Sequence, residues 1–374
     1  MAELKAPFPW FGGKRTIAGL IWQRLGNVDN YIEPFAGSCA TLLLRPHPPK
    51  VETLNDLDCY VANFWRATQH APDAVATYAD GPVNEVDLHS RHRWLVLSED
   101  AVRFRERMRT EPDYFDAKVA GWWCWGLCCW IGSGWCESGG SGQAKRPRSH
   151  RAAGSSDSPC DLPGVLAEGL ALKQGRPQLG DAYDIGRGVN ASPPGKRPYI
   201  AGTGGGNGVH SEKFEVGTCA QRREWLLDWF GRLRDRLRNV RVCCGDWSRV
   251  CSSESTTTRL GLTGVLLDPP YSAESKRAKK LYSTDSLTVA HEVRAWCLER
   301  GADRQMRIAL CGYEGEGHEA LESAGWKVEA WEAQGGYGNR SEAGKKNAKR
   351  ERIWFSPHCS FERGLFDGEG EVSG

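Results

Sequence analysis

Long apolar runs are absent from the sequence, and so are the glycine patterns that cradle pyrophosphates. No stretch of the 374 residues approaches the roughly 18 apolar residues that a membrane-spanning helix needs. The first ten residues, MAELKAPFPW, lack the apolar core of a secretory signal. Neither Gly-x-Gly-x-x-Gly nor Gly-Lys-Ser/Thr occurs. The sequence therefore argues against a membrane protein and against a dinucleotide-dependent oxidoreductase. Tight binding of a nicotinamide cofactor would support the oxidoreductase hypothesis again.

The net charge is also small, at +2, so global charge does not indicate a nucleic-acid partner. Its distribution is more informative, because three regions each carry an excess of roughly four positive charges. These regions are residues 139–213, 222–241 and 340–352. Each could be an ordinary solvated face, whereas three around one site would suit a polyanion. The 14 cysteines, in a chain of this size without an export signal, favour reduced thiols in the cytoplasm.

Strands and helices alternate at both ends of the chain, which predicts an α/β fold with a mostly parallel, helix-covered sheet. The segments NYIEPF, KVETLNDLD, NVRVCCGDW, GVLLDPPY and MRIALCG read as strands. The last two strands, KVEAWEA and RERIWFS, have only a basic loop between them. They are therefore predicted to pair as an antiparallel C-terminal hairpin with a long tip.

The middle of the chain has a different composition. Residues from about 60 to 120 read as charged helices, followed by the aromatic, cysteine-rich run GWWCWGLCCWIGSGWC. Cys124, Cys128, Cys129 and Cys136, with His150 and Cys160, could be read as a zinc cluster, but Cys-x-x-Cys pairs are lacking. A buried helix is the preferred interpretation, and no metal is expected. Residues 138–210 are rich in Gly, Pro, Ser and Arg and contain a loose repeat, which fits either a disordered insertion or loops that grip a polyanion.

Three short polar segments follow predicted strands, where open α/β sheets bind ligands. Gly37 in EPFAGS lets backbone approach a ligand closely, and Asp56 in NDLD is placed to bind a ribose diol. In DPPY, the stiff prolines would hold Asp268 and the carbonyl of Pro269 as acceptors for the two N–H bonds of a base amino group. Such contacts localise the nitrogen lone pair for attack. Tyr271 would stack on a base flipped from the duplex.

With FGGK near the start, followed by EPFAGS and DPPY, the chain resembles the Dam-type DNA adenine methyltransferases over roughly residues 7–70 and 240–357. The resemblance implies a Rossmann-like methyltransferase sheet with an inserted target-recognition region, and S-adenosylmethionine as the methyl donor. It also implies a catalytic set and a cofactor-binding set. The catalytic set is Asp268, Pro269, Pro270 and Tyr271, and the cofactor-binding set is Trp10, Lys14, Glu33, Phe35, Gly37, Asp56, Asp246 and Asp268. The chain departs from the family at Cys39, where a second small glycine is usual.

The resulting hypothesis is N6 methylation of adenine in a specific sequence of double-stranded DNA, by a cytoplasmic enzyme of a bacterial or phage-infected cell that acts as a monomer or weak dimer. Cytosine N4 methylation and a catalytically inactive DNA-binding scaffold remain alternatives. The expected division is a catalytic domain in two parts, 1–70 and 214–358, with a target-recognition region at 71–213 and a flexible tail at 359–374. DNA contacts are predicted at Arg146, Arg148, Arg176, Arg187, Lys196, Arg197, Arg340, Lys345 and Lys346.

Overall fold

A seven-stranded sheet runs through the computed structural model, which describes residues 4–10, 12–130, 135–136, 209, 219–270, 289–331 and 350–361. The predicted strand segments all form strands. The strands are β1 (Asn30–Glu33), β2 (Val51–Asp56), β3 (Val240–Cys244), β4 (Thr263–Leu267), β5 (Met306–Tyr313), β6 (Lys327–Ala330) and β7 (Glu351–Phe355).

The strand order across the sheet is β3-β2-β1-β4-β5-β7-β6. The first five strands in this order are parallel to one another. β7 is antiparallel to both β5 and β6, which confirms the predicted C-terminal hairpin. The fold is thus a mixed α/β, Rossmann-like sheet, as the sequence indicated. β1 and β4 are adjacent, and the chain leaves them toward opposite edges of the sheet.

Alternating side chains on the strands separate two hydrophobic cores, because successive residues of a strand point to opposite faces. Tyr31 and Leu266 belong to one core, whereas their neighbours Ile32 and Val265 belong to the other. Ordinary helix-covered parallel sheets are buried on both faces in this way. The sheet is therefore the middle layer of three.

The helices fall into two groups according to the core they cover. Helices α9 (Ser248–Cys251) and α10 (Val289–Arg300), together with a 3₁₀ helix at His318–Ala324, cover the face of Ile32. The other helices cover the face of Tyr31. The helices are α1 (Ala18–Leu25), α2 (Ala40–Leu43), α3 (Cys59–His70), α4 (Pro72–Ala79), α5 (Glu85–Leu97), α6 (Glu99–Thr110), α7 (Ala117–Cys129), α8 (Cys219–Leu237), α9 (Ser248–Cys251) and α10 (Val289–Arg300).

The aromatic and cysteine-rich run forms α7, which is buried against α3 and α4. Its Trp123 ring lies 5.0 Å from Phe8 and 6.2 Å from Trp10, measured between ring centroids. The thiols of Cys124 and Cys128 both donate to the carbonyl oxygen of Pro7. α7 thus packs against the N-terminal segment at Pro7 and Phe8 and helps to fix the position of Trp10.

The expectations about metal binding, membrane spans and domains concern the whole chain, and the structure describes only part of it. No group of side chains suited to hold a metal ion occurs among the residues that the structure describes, and His150 and Cys160 lie outside them. Over the same residues, no helix is long and apolar enough to cross a bilayer. The division into domains stays a prediction, because most of residues 131–218 falls outside the described ranges.

Candidate active site

The candidate site lies at the carboxyl ends of β1 and β4, where the strand order reverses direction. β1 pairs with β2 on one side and with β4 on the other, and β4 continues to β5. Open α/β sheets bind ligands in the crevice at such a switch point. Asp268 immediately follows β4, and the EPFAGS segment follows β1, so both predicted site segments reach the same crevice.

Asp268 forms an ion pair with Lys14 at this edge. The Nζ atom of Lys14 donates to Oδ2 of Asp268 at 2.6 Å and to the carbonyl oxygen of Gly12 at 2.7 Å. Lys14 is 4% exposed and Asp268 is 25% exposed, so the carboxylate faces outward from a buried cation. No described residue donates to Oδ1 of Asp268. The pair leaves one carboxylate oxygen available to accept a hydrogen bond from a ligand.

The charge of Lys14 is secured by its surroundings. Burial is the largest single influence and by itself would lower the pKa of this ammonium group, but Asp268, chiefly, and its other neighbours together raise the pKa above its ordinary value. Cys311 and Glu351 add smaller effects in the same direction. Lys14 is therefore a permanent cation, and it acts on Asp268 rather than serving as a proton donor.

Three buried residues of the C-terminal half surround Lys14, and the sequence did not single them out. The ring centroid of Trp331 lies 5.7 Å from Nζ of Lys14. Cys311 lies on β5, and Glu351 begins β7. The sequence gives one signal for these residues, which is that the acid Glu351 stands at the start of a predicted strand. In the structure Glu351 is buried, and acids are rarely buried unless they have partners. These residues make the floor of the site next to Asp268.

Gly37, Trp10 and Asp56 form a second cluster beside the ion pair. Asp56 ends β2, and its Oδ2 accepts from the backbone N–H of Gly37 at 3.0 Å. Gly37 has φ of +45°, and a Cβ atom there would lie 2.2 Å from Nε1 of Trp10. The carbonyl oxygen of Gly37 accepts from Nε1 of the buried Trp65, at 2.9 Å. The loop after β1 is thus clamped from three sides, and only glycine fits at its centre.

Asp56 has its pKa raised to about 7, chiefly because the surrounding protein desolvates it and secondarily because of Asp58. Its other oxygen, Oδ1, accepts from the backbone N–H of Asp58 at 2.9 Å. Half-buried at the end of β2, Asp56 keeps lone pairs on both oxygens beyond the two backbone contacts. It is placed to accept hydrogen bonds from a neutral polyhydroxyl ligand such as a ribose.

The remaining predicted cofactor residues differ in exposure. Glu33 is buried, and its Oε1 accepts from the hydroxyl of Tyr31 at 2.8 Å and from the backbone N–H of Leu42 at 2.7 Å. Phe35 is half-buried and stacks on Trp247, with ring centroids 6.3 Å apart. Trp247 was not selected from the sequence, although it directly follows the predicted Asp246.

Asp246 is exposed and accepts from the backbone N–H of Ser248 at 2.9 Å and from its hydroxyl at 2.5 Å. The residue follows β3 by two positions, so it lies at the same edge of the sheet as Asp56. The local contacts give it a turn-forming role before α9. Its predicted part in cofactor binding stays a prediction.

Cys39 adopts φ of +41°, a left-handed conformation that costs a residue with a Cβ atom about 1–2 kcal/mol. The same angle explains why the resembling family favours glycine there. The side chain is fully buried, and burial raises the pKa of its thiol well above the ordinary value. Cys39 therefore packs as a small apolar residue at the start of α2.

One predicted catalytic residue and the whole predicted DNA-binding set fall outside the described residues. Tyr271 of the catalytic set lies there, as do all nine predicted DNA contacts. Pro269 is buried and Pro270 half-buried directly after Asp268, so three of the four residues of DPPY are described.

Residues 10–100 match the model of the D12 class N6 adenine-specific DNA methyltransferases. Over these residues the chain is similar to that family, which supports an enzyme that methylates N6 of adenine in DNA. The matched residues contain Trp10, Lys14, Gly37 and Asp56, and the family implies a methyl donor and a DNA substrate. No curated protein sequence matches the chain.

The buried carboxyl of Glu33 predicts a measurable pH dependence of stability. Desolvation raises the pKa of Glu33 to about 8, despite the hydrogen bonds from Tyr31 and Leu42. The folded state thus binds a proton that the unfolded state releases between the ordinary pKa of 4.5 and about 8. The free energy of unfolding should fall as pH rises through this range, by up to about 1.4 kcal/mol per pH unit from this group. Glu33→Gln should remove that contribution in urea unfolding measured across the range.

Glu99→Gln is the matched control, because Glu99 is 91% exposed on α6. It should leave the pH dependence unchanged. An unaltered slope in Glu33→Gln would show that Glu33 is ionised in the folded protein.

Proposed function

We propose that the enzyme transfers a methyl group from S-adenosylmethionine to N6 of an adenine flipped out of double-stranded DNA. The observation that carries the proposal is the meeting of two clusters in one crevice. The Lys14–Asp268 pair presents a free carboxylate oxygen, and the neighbouring Gly37–Asp56 cluster presents hydrogen-bond acceptors to a ribose. An amino-group acceptor and a nucleoside site side by side suit a methyl transfer to a base.

The residues at the Asp56 end fit the nucleoside part of S-adenosylmethionine. Asp56 would hold the ribose diol, and the stacked pair Phe35 and Trp247 would border the adenine ring. Asn55 supplies a further observation, because its buried Oδ1 has no hydrogen-bond partner among the described residues, while its Nδ2 donates to the carbonyl oxygens of Pro34 and Gly245. A buried acceptor left open beside Asp56 fits a ligand with hydrogen-bond donors.

The other predicted members have supporting roles in this proposal. Trp10 and Gly37 would shape the loop that the cofactor touches, and Glu33 would hold that loop by its buried hydrogen bonds. Lys14 and Asp246 would lie at the two ends of the pocket. S-adenosylmethionine, when bound, supplies an electrophilic methyl group on a sulfonium.

Asp268 would act on the substrate base. Its Oδ1 and the carbonyl oxygen of Pro269 would each accept one N–H of the amino group, which concentrates the nitrogen lone pair for in-line attack. Lys14 would keep the carboxylate ionised and oriented through Oδ2, so that no reorganisation is needed during the reaction. Positioning then supplies most of the acceleration.

The rest of the chain would serve DNA binding. The proposed target-recognition region at 71–213 would carry Arg146, Arg148, Arg176, Arg187, Lys196 and Arg197, and the basic tip of the C-terminal hairpin would carry Arg340, Lys345 and Lys346. Their contacts would be to phosphates, because the runs are basic and glycine-rich. A monomer or weak dimer in the cytoplasm completes the proposal.

The test is transfer of a labelled methyl group from S-adenosylmethionine to unmethylated duplex DNA, followed by identification of the digested nucleosides by mass spectrometry. N6-methyladenine is the expected product. N4-methylcytosine would replace the proposed base, and absence of transfer to DNA of varied sequence, with the cofactor bound, would support an inactive scaffold.

Tyr271→Ala tests the base-stacking role. If Tyr271 stacks on the flipped base, its loss should lower methyl transfer by about 10-fold or more, because a base–aromatic stack contributes about 1–3 kcal/mol. Cofactor affinity, measured by tryptophan fluorescence, should change little. Equal losses of cofactor affinity and transfer would place Tyr271 in the cofactor pocket instead.

A further inference from the structure

Two cysteine thiols lie against each other beside the cofactor edge of the sheet. Sγ of Cys244, the last residue of β3, donates a hydrogen bond to Sγ of Cys59 at 3.6 Å. Cys59 is the first residue of α3, so the contact joins two elements that are 185 residues apart in sequence. In the parallel register, Cys244 is the partner of Asp56. The thiol pair therefore flanks the carboxylate proposed to hold the ribose.

The surroundings of Cys59 favour a thiolate. The hydrogen bond from Cys244 is the largest influence that lowers the pKa of Cys59, and Arg109 of α6 lowers it further. Position at the start of a helix acts in the same direction, because backbone N–H groups and the helix dipole stabilise an anion there. Burial and the negative charge of the neighbouring Asp58 oppose these effects without cancelling them.

The other thiols of the described chain have the opposite character. The pKa of every other cysteine there for which a shift is resolved is raised, in Cys244 chiefly by its hydrogen bond to Cys59 and in the rest chiefly by burial. Cys243, adjacent to Cys244 on β3, packs with the core on the opposite face of the sheet. Only one of these two neighbours can thus reach Cys59 without reversing the strand.

We propose that Cys59 and Cys244 are a site of reversible oxidation, which closes to an intramolecular disulfide when the protein meets a peroxide. The Cys59 sulfur attacks one peroxide oxygen, the O–O bond breaks, and the departing hydroxide takes up a proton to leave as water. The Cys244 sulfur then attacks the resulting Cys59 sulfenic acid. The S–S bond forms as the S–O bond breaks, and the thiol proton of Cys244 leaves with the hydroxide as a second water. Two thiols are oxidised by two electrons, and one peroxide is reduced to two waters.

Closure would shift the cofactor edge. The two sulfur atoms must approach from 3.6 Å to the disulfide length of about 2.05 Å, which draws the start of α3 toward the end of β3. Asp56 ends β2 three residues before Cys59, and it is the register partner of Cys244 on β3. Oxidation should therefore weaken cofactor binding, by roughly tenfold. This consequence rests on the proposed function, whereas formation of the bond does not.

The experiment treats the reduced full-length chain with hydrogen peroxide and maps disulfides by mass spectrometry of peptides prepared without reductant. We expect a link between the Cys59 peptide and the Cys243–Cys244 peptide, reversed by dithiothreitol. The matched variants identify the partner, since Cys244→Ser should lose the link and Cys243→Ser should keep it. Retention in Cys244→Ser, loss in Cys243→Ser, or a link confined to Cys124 and Cys128 would overturn the proposal.

Cofactor affinity is then measured on the oxidised and reduced protein by isothermal titration with S-adenosylmethionine. Weaker binding after oxidation, absent in Cys244→Ser, supports the regulatory consequence. Unchanged binding with the link formed overturns that consequence alone. If the protein forms the link on oxidation, but its reduced form does not bind S-adenosylmethionine, the proposed cofactor is refuted and the proposed oxidation site is not.

Discussion

Asp268→Ala is expected to lower the rate of methyl transfer by about two to three orders of magnitude, the usual effect of losing one preorganised electrostatic contact to the reacting group. Without the carboxylate, nothing at this position accepts the amino N–H, and the nitrogen lone pair stays delocalised into the base. The rate is measured as labelled methyl transferred to duplex DNA under single-turnover conditions.

The same substitution has a structural cost that must be separated from its catalytic one. Lys14 would remain buried with the carbonyl of Gly12 as its one remaining hydrogen-bond partner among the described residues, because its ion pair with Asp268 is gone. Removing one partner of a buried ion pair destabilises a protein by about 3–5 kcal/mol. Urea unfolding of Asp268→Ala should show that loss.

The double variant Lys14→Met/Asp268→Ala separates the two effects. Methionine fills the lysine site without a charge, so the double variant should regain most of the lost stability while methyl transfer stays low. If activity returned together with stability, Asp268 would be a structural partner of Lys14 and not a catalytic residue. Near-normal transfer by the folded single variant would lead to the same conclusion.

The sequence predicted the parts of the site that depend on local pattern. The apolar runs before Glu33, Asp56 and Asp268 identified β1, β2 and β4, because buried parallel strands are continuous in their hydrophobicity. Once these strands were recognised, the rule that ligands bind at carboxyl ends placed the polar residues after them. The C-terminal hairpin followed from the lack of a helix between its strands.

Pairings across the sheet could not be predicted in this way. Lys14 and Asp268 are 254 residues apart, and nothing local to either one specifies the other. Lys14 was expected among the cofactor residues, and that role stays a prediction; the structure shows that its ammonium pairs with Asp268. Trp331 and Cys244 are similar cases, because their importance arises from neighbours that only the folded chain provides. Periodicity identifies elements, and packing decides which side chains meet.

Gly37→Ala is expected to destabilise the protein by about 2–5 kcal/mol and to abolish detectable cofactor binding. Two separate costs combine at this residue. The left-handed φ of +45° costs an alanine about 1–2 kcal/mol. The new Cβ would also lie 2.2 Å from Nε1 of Trp10, so the indole must move, although Phe8 and Trp123 hold it. Overpacking of this kind costs about 1–3 kcal/mol. Thermal and urea unfolding give the stability, and titration calorimetry gives the affinity.

Gly19→Ala is the control, because a Cβ there meets no atom within 4 Å and the residue lies in α1. It should be neutral or stabilising by up to about 1 kcal/mol, since alanine favours helix over glycine. The double variant Trp10→Ala/Gly37→Ala removes the steric conflict and keeps the unfavourable φ. If the loop after β1 is clamped as described, truncating Trp10 should cost less in the Gly37→Ala background than in the wild-type protein. Additive losses would mean that the indole does not press on Gly37, and the geometry of the cofactor loop would have to be revised.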